Sequence, residues 1–136
     1  RSVWSRLRDE LVDEVEGLTV GDVTDFHNFM SAVIDDRSFA KLSSVLNRVR
    51  GEEGVEIVAG GTADDSEGYF VRPTIVVADD PDHEVFTTEY FGPILGVFVY
   101  EDAEYDKVLR ESAAIGAYGL TGSIIAADRA AIPEVR

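Results

Sequence analysis

A carboxylate, two aromatic side chains, a Gly and a Pro stand together near the middle of the chain, in the stretch TTEYFGPILGVFVY. The second half, Ile94–Tyr100, is apolar and rich in β-branched and aromatic residues, which predicts a strand buried on both faces. The preceding Gly92–Pro93 step restricts the backbone, because Pro fixes its own φ and limits the residue before it. The residues alone leave two interpretations open. Glu89 belongs to a binding site, or it is a surface Glu beside two core aromatics.

The acidic and histidine side chains give weaker patterns. Three acidic pairs, at 35–36, 64–65 and 79–80, could bind a hard cation, but none has the spacing of a calcium loop. Capping and turn roles explain these pairs more simply. His27 and His83 are too far apart in sequence to form a helical ligand pair. Neither a metal site nor a catalytic His is therefore predicted.

The glycines and the absence of cysteine exclude further kinds of chemistry. Gly60–Gly61 and the turn at 119–122 match neither the dinucleotide nor the P-loop fingerprint, so each is interpreted as a turn. The chain has no Cys. It therefore carries no disulfide, no thiolate metal site and no thiol nucleophile of its own.

The composition is that of one globular domain. The chain has 136 residues, of which 45% are hydrophobic, and this length can bury a core. The net charge of -15 argues against nucleic acid or an anionic membrane surface as a partner. No apolar run approaches the length of a membrane span, and no charged-then-apolar leader is visible.

Two helices are predicted in the first third of the chain. Apolar residues at three- and four-residue spacing predict an amphipathic helix that begins with Ser2 as N-cap and ends near Gly17. A second apolar stripe predicts a helix capped by Asp35 or Asp36 and stopped by Gly51. The stripe residues are Trp4, Leu7, Leu11, Val15 and Leu18 in the first helix and Phe39, Leu42, Val45, Leu46 and Val49 in the second.

Strands and a further helix follow. Val55–Ala59 is predicted to be a strand, and the run YFVRPTIVV is another whose Pro73 belongs at a sheet edge or a bulge. A third helix is predicted from Tyr105 to Ala113, and a last short strand from Gly122 to Ala127. Because helices alternate with apolar strands, the predicted class is α/β with at least part of the sheet parallel.

Three stretches, in order along the chain, resemble the aldehyde dehydrogenase superfamily: GYFVRPTIV, TEYFGPILGVFVY and YGLTGSI. The stretches SAVIDDRSF, AGGTADDSEGYFV and YGLTG are similar to the subgroup of Δ1-pyrroline-5-carboxylate dehydrogenases, also called L-glutamate γ-semialdehyde dehydrogenases. Two positions depart from the common pattern. Thr88 stands where many relatives have a second Glu, and Tyr90 where many have Ile.

The resemblance implies a fold and a reaction. Residues 1–136 would form an incomplete α/β catalytic domain, with helices packed on a mostly parallel open sheet, that begins just after the nucleophilic Cys. The general base and the cofactor domain would lie upstream, and the loop that anchors the substrate carboxylate and the oligomerisation flap would lie beyond Arg136. The intact enzyme would use NAD to oxidise glutamate γ-semialdehyde to glutamate in proline degradation. We expect the segment alone to be inactive.

The resemblance also assigns roles and partners. Glu89 would accept hydrogen bonds from the nicotinamide-ribose hydroxyls, and Phe91 would pack against the ribose and nicotinamide, whereas no catalytic or metal-binding residue lies in the chain. The implied partners are a small aldehyde and further copies of the chain in a homo-oligomer, with no nucleic acid and no membrane span. The implied location is the cytoplasm of a bacterium or the mitochondrial matrix of a eukaryote. Two alternatives stay open: a superfamily enzyme for another aldehyde, and a non-enzymatic acidic α/β interaction module.

Overall fold

Helices and strands alternate along the chain, as expected for the α/β class. The computed structural model describes residues 1–115, 119 and 121–129. Four α-helices, five strands and one short 3₁₀-helix are assigned within those residues. In chain order they are α1 Ser2–Gly17, α2 Asp36–Val49, β1 Val55–Ala59, β2 Ala63–Asp64, β3 Phe70–Val71, β4 Thr74–Ala78, α3 Glu84–Thr87, β5 Ile94–Phe98, the 3₁₀-helix Asp102–Glu104 and α4 Tyr105–Ser112.

The main sheet has three strands in the order β1-β4-β5. β1 runs antiparallel to β4, with Val55 opposite Ala78, and β5 runs parallel to β4, with Ala78 opposite Phe98. The small hairpin of β2 and β3 connects β1 to β4 and permits the antiparallel pairing, whereas the crossover through α3 returns β5 parallel. The α/β class is confirmed. The sheet among the described residues is mixed rather than mostly parallel.

The strand β5 is shorter and more exposed than the sequence predicts. It ends at Phe98 rather than Tyr100, and its residue Leu95 is 52% exposed. The strand lies at the end of the strand order, so its outer edge has no partner among the described residues. The prediction of burial on both faces is therefore wrong for this chain. Burial of this apolar run on both faces would require a further element packed beside β5.

The core lies between α2 and the strands. The apolar stripe of α2 packs on β3 and β4, and the strand residues Val71 and Val76 belong to the same buried cluster. The predicted cap is confirmed, since Oδ1 of Asp35 accepts a hydrogen bond from the Ser38 N–H at 2.8 Å. The four buried stripe residues are Leu42, Val45, Leu46 and Val49. This core fixes the side of the sheet on which the segment before β5 lies.

Other sequence predictions have mixed outcomes. The predicted α1 is present, but its N-cap is Arg1 rather than Ser2. Pro73 lies at neither an edge nor a bulge, because it is a buried residue in the break between β3 and the central strand β4. Residues 122–127 form no strand, so that prediction is wrong. The predicted turn at 119–122 lies partly outside the described residues. None of the described helices is long and apolar enough to cross a membrane.

Candidate functional site

The segment between α3 and β5 presents two side chains to solvent on either side of a buried one. Tyr90 is only 7% exposed and belongs to the core cluster, whereas Phe91 is 81% exposed. Glu89 is also exposed. The structure therefore separates the two aromatics that are adjacent in sequence. Tyr90 anchors the segment, and Glu89 and Phe91 are free to meet a ligand.

The backbone of Phe91 is in the left-handed region. Its φ of 55° is the one positive φ of a non-Gly residue within the described part of the chain. This region costs an L-residue about 1–2 kcal/mol, and a bulky side chain there is an outlier. Such strain persists only where neighbouring contacts determine the conformation, and it concentrates at functional sites. Since the ring is exposed, its own packing does not offset this cost.

Contacts on both sides of Phe91 hold it in this conformation. On one side, Tyr90 is buried among the α2 residues. On the other side, Gly92 lies so close to α2 that an added Cβ would be 2.5 Å from both Cδ atoms of Leu42. The Pro93 carbonyl then accepts a hydrogen bond from the Thr74 N–H at 2.8 Å, which joins the segment to the central strand. The segment is therefore positioned before any ligand arrives.

An ion pair between α2 and α3 lies close to Tyr90. The Arg48 guanidinium on α2 donates to both carboxylate oxygens of Glu84 on α3, with Nη2–O distances of 3.0 Å. The Tyr90 hydroxyl has no hydrogen-bond partner, although the Glu84 carboxylate is near enough to affect its titration. Burial, assisted by the Glu84 charge and opposed by Arg48, raises the pKa of Tyr90 to about 12. Tyr90 is therefore a neutral anchor at physiological pH.

The Glu89 carboxylate is available to a ligand. It makes no hydrogen bond or ion pair with any residue that the structure describes. An ionised carboxylate offers two acceptor oxygens, which can receive hydrogen bonds from two adjacent hydroxyls. Clefts of about 560 and 510 Å³ lie elsewhere, beside Trp4, and neither is lined by Glu89 or Phe91. The candidate site is an exposed surface of this chain with a diol acceptor and an aromatic ring.

The acidic pairs and histidines have local structural roles. Asp64 and Asp80 accept hydrogen bonds from backbone N–H groups two residues later, and Asp35 caps α2, so one member of each pair has the predicted capping or turn role. His83 caps α3, and His27 contacts Asp25. No group of three or more His, Cys, Asp or Glu side chains in the described part of the chain is arranged to hold a metal ion.

Sequence reasoning missed how the segment is anchored. From the residues alone, Tyr90 and Phe91 were both interpreted as core aromatics, yet the structure buries Tyr90 and exposes Phe91. No local signal separates the two residues, because the left-handed φ of Phe91 breaks the two-residue period of an extended chain. The close approach of Gly92 to Leu42 depends on how α2 packs against the sheet, and no local pattern indicates it.

A family model agrees with the whole chain. The model described as "Aldehyde dehydrogenase family" matches residues 1–136. The chain is 48% identical over 129 residues to a probable delta-1-pyrroline-5-carboxylate dehydrogenase of Schizosaccharomyces pombe, covering 94% of this chain. It is 42% identical over 134 residues to the mitochondrial delta-1-pyrroline-5-carboxylate dehydrogenase of Danio rerio, covering 98% of this chain. The chain spans 24% of the length of each of these relatives.

The fold is also similar to those of solved aldehyde dehydrogenase structures. The fold superposes on a Delta-pyrroline-5-carboxylate dehydrogenase from Mycobacterium tuberculosis with a TM-score of 0.91 and 45% identity, covering 99% of this chain and 25% of that one. The same enzyme bound with NAD gives a TM-score of 0.88 at 44% identity, with 99% and 24% coverage. A Bacillus cereus aldehyde dehydrogenase in complex with NAD⁺, at 22% identity and a TM-score of 0.85, shares the fold.

Proposed function

The chain belongs to the aldehyde dehydrogenase family, and from this premise we propose that Glu89 and Phe91 hold the nicotinamide-ribose half of NAD. The enzyme of which the chain is part oxidises L-glutamate γ-semialdehyde, the open form of Δ1-pyrroline-5-carboxylate, to L-glutamate. The observation that carries the proposal is the pairing of an unpartnered carboxylate with an exposed aromatic ring held in the left-handed region.

The two side chains fit the chemistry of this cofactor. The ribose carries two adjacent hydroxyls, and the Glu89 carboxylate can accept a hydrogen bond from each. The Phe91 ring offers an apolar face to the ribose and nicotinamide, and its 81% exposure leaves that face accessible. NAD, when bound, supplies the hydride acceptor. An NAD-bound structure of a relative at 44% identity supports the choice of cofactor.

The part that this chain plays is orientation rather than attack. With no Cys in its 136 residues, it offers no thiolate to the aldehyde. Glu89 and Phe91 instead fix the nicotinamide half at a defined position, and a defined position is what makes the transfer of hydride from a neighbouring substrate efficient. Tyr90 and α2 keep the segment in place, so little order has to be acquired when the cofactor binds.

Substrate and location follow the names of the relatives, and assembly follows the family resemblance. The named relatives at 37–48% identity are all delta-1-pyrroline-5-carboxylate dehydrogenases, which favours glutamate γ-semialdehyde over another aldehyde. Membership of an enzyme family argues against a non-enzymatic interaction module. The intact enzyme is a homo-oligomer, located in the mitochondrial matrix if eukaryotic, as the names of several relatives suggest, and in the cytoplasm if bacterial.

Substitution of Glu89 in the full-length enzyme tests this proposal. Glu89→Gln keeps the shape but removes the charge, and a hydrogen bond to a charged group contributes about 1.5–3 kcal/mol. We therefore expect kcat/KM for NAD to fall by roughly ten- to a hundredfold, with little change in the KM of the aldehyde.

The matched control is Glu53→Gln. Glu53 is an exposed residue that makes no hydrogen bond or ion pair with the described residues, and we expect normal kinetics. Glu84 is unsuitable as a control because its carboxylate is bound by Arg48. Cofactor kinetics within about twofold of wild type in a folded Glu89→Gln enzyme would contradict the assignment.

A further inference from the structure

We propose that the contact between Gly92 and Leu42, together with the buried ring of Tyr90, positions Phe91 and thereby sets the affinity of the enzyme for NAD. The inference rests on the proposed function of Glu89 and Phe91. It assigns a positioning role to three residues that lie outside the proposed cofactor contacts. They would act through the backbone of the segment between α3 and β5.

The backbone of Phe91 is strained. A φ of 55° is unfavourable for an aromatic residue, and because the Phe91 side chain is 81% exposed, its packing contributes little to offset this cost. The residues on either side must therefore impose it. Tyr90 is held in the core cluster, and Gly92 lies against the same helix, so both flanking residues are fixed by α2.

Gly92 is required for space rather than for conformation. Among the described residues, the positive-φ glycines are Gly51, Gly54, Gly60 and Gly61, so the φ of Gly92 is one that other residues adopt. An added Cβ would nevertheless lie 2.5 Å from Cδ1 and Cδ2 of Leu42 and 3.0 Å from its Cγ. Leu42 is fully buried and has little room to move away. A methyl group at position 92 would therefore push the segment away from α2 and shift Phe91.

Tyr90 acts through its ring rather than through its hydroxyl. The ring packs in the core, whereas the hydroxyl has no hydrogen-bond partner. Tyr90→Phe should therefore keep the position of Phe91, and Tyr90→Ala should lose it because a cavity replaces the anchor. If the hydroxyl took part in binding or catalysis, Tyr90→Phe would instead weaken NAD binding or lower the activity.

A size-exchange experiment on the full-length enzyme tests the proposal. The variants are Gly92→Ala, Leu42→Ala and the double variant, with the dissociation constant of NAD measured by titration and kcat and KM measured separately. We expect Gly92→Ala to weaken NAD binding about tenfold, since small displacements of a positioned group are costly. The KM of the aldehyde should stay unchanged. Removal of the Leu42 side chain in the double variant should restore NAD affinity to within about threefold of wild type.

Matched variants separate this proposal from a loss of folding and from the proposed function. Gly17→Ala is the control, because an added Cβ there meets nothing within 4 Å and its φ is ordinary, and it should bind NAD normally. Unchanged NAD affinity in folded Gly92→Ala, or a double variant no better than Gly92→Ala, overturns the positioning role. If the double variant does not fold, normal NAD affinity in Tyr90→Phe and weakened affinity in folded Gly92→Ala support the role, and any other pair of results overturns it. Failure of Glu89→Gln to affect NAD would instead contradict the proposed function, whatever Gly92→Ala does.

Discussion

Replacement of Phe91 by Asn should separate stability from cofactor binding. Asn tolerates the left-handed region better than an aromatic residue, so the substitution relieves part of a strain of about 1–2 kcal/mol. The lost packing is small. Full burial of a Phe side chain contributes about 1.5–3 kcal/mol, and a side chain that is 81% exposed retains about a fifth of this. We therefore expect the free energy of unfolding to be unchanged or to rise by up to about 1 kcal/mol.

The same substitution should weaken NAD binding, because it removes the aromatic face proposed to contact the ribose and nicotinamide. The assay is urea denaturation of the cofactor-free full-length enzyme, followed by NAD titration of the folded variant. The neighbouring Tyr90→Ala gives the contrast, because loss of a buried aromatic costs about 3–5 kcal/mol. A loss of more than about 2 kcal/mol in Phe91→Asn would show that the ring is part of the core and would refute the reasoning.

Further predictions concern the scaffold. Gly60 and Gly51 both have positive φ, but an added Cβ at Gly60 would meet the Pro73 carbonyl, whereas one at Gly51 would meet nothing within 4 Å. Gly60→Ala should therefore lower the free energy of unfolding by about 1–3 kcal/mol more than Gly51→Ala, as measured by thermal or urea unfolding. Hydrogen bonds, above all from the Ser38 N–H, lower the pKa of Asp35 from 3.8, so its contribution to stability is present above that pH and is lost as the pH falls through the folded value. The difference in melting temperature between wild type and Asp35→Ala should therefore be present at pH 7 and vanish in acid. In the 136-residue chain alone, the outer edge of β5 has no partner among the described residues and should promote self-association. Because Leu95 on this strand is exposed, Leu95→Lys should reduce the association measured by light scattering. Equal association of wild type and variant would contradict a contact through this edge.

The sequence predicted those helices and strands whose formation depends on neighbouring residues along the chain. The stripe and the Asp35 cap of α2 follow from helical periodicity and from the side-chain oxygen that an N-cap needs, and both are confirmed. β1, bounded by Gly60, is confirmed for a similar reason. The α/β class was predicted from the alternation of helices and apolar strands, and the family from three matched stretches.

The remaining features depend on contacts between distant parts of the chain. Exposure of Leu95 is decided by which strands flank β5, and a strand's own sequence does not state this. Pro73 looked like an edge residue, yet the central strand simply begins after it. The left-handed φ of Phe91 arises because α2 holds the residues on both sides, so only the folded arrangement reveals the strain.

A crystal structure of the full-length enzyme with NAD bound is the most direct test of the central claim. We predict that both carboxylate oxygens of Glu89 lie about 2.5–3.0 Å from the two nicotinamide-ribose hydroxyls, the range of O–H···O hydrogen bonds. The Phe91 ring should contact the ribose or nicotinamide while its φ stays positive. A nicotinamide ribose bound away from Glu89, with other residues satisfying its hydroxyls, would contradict the account.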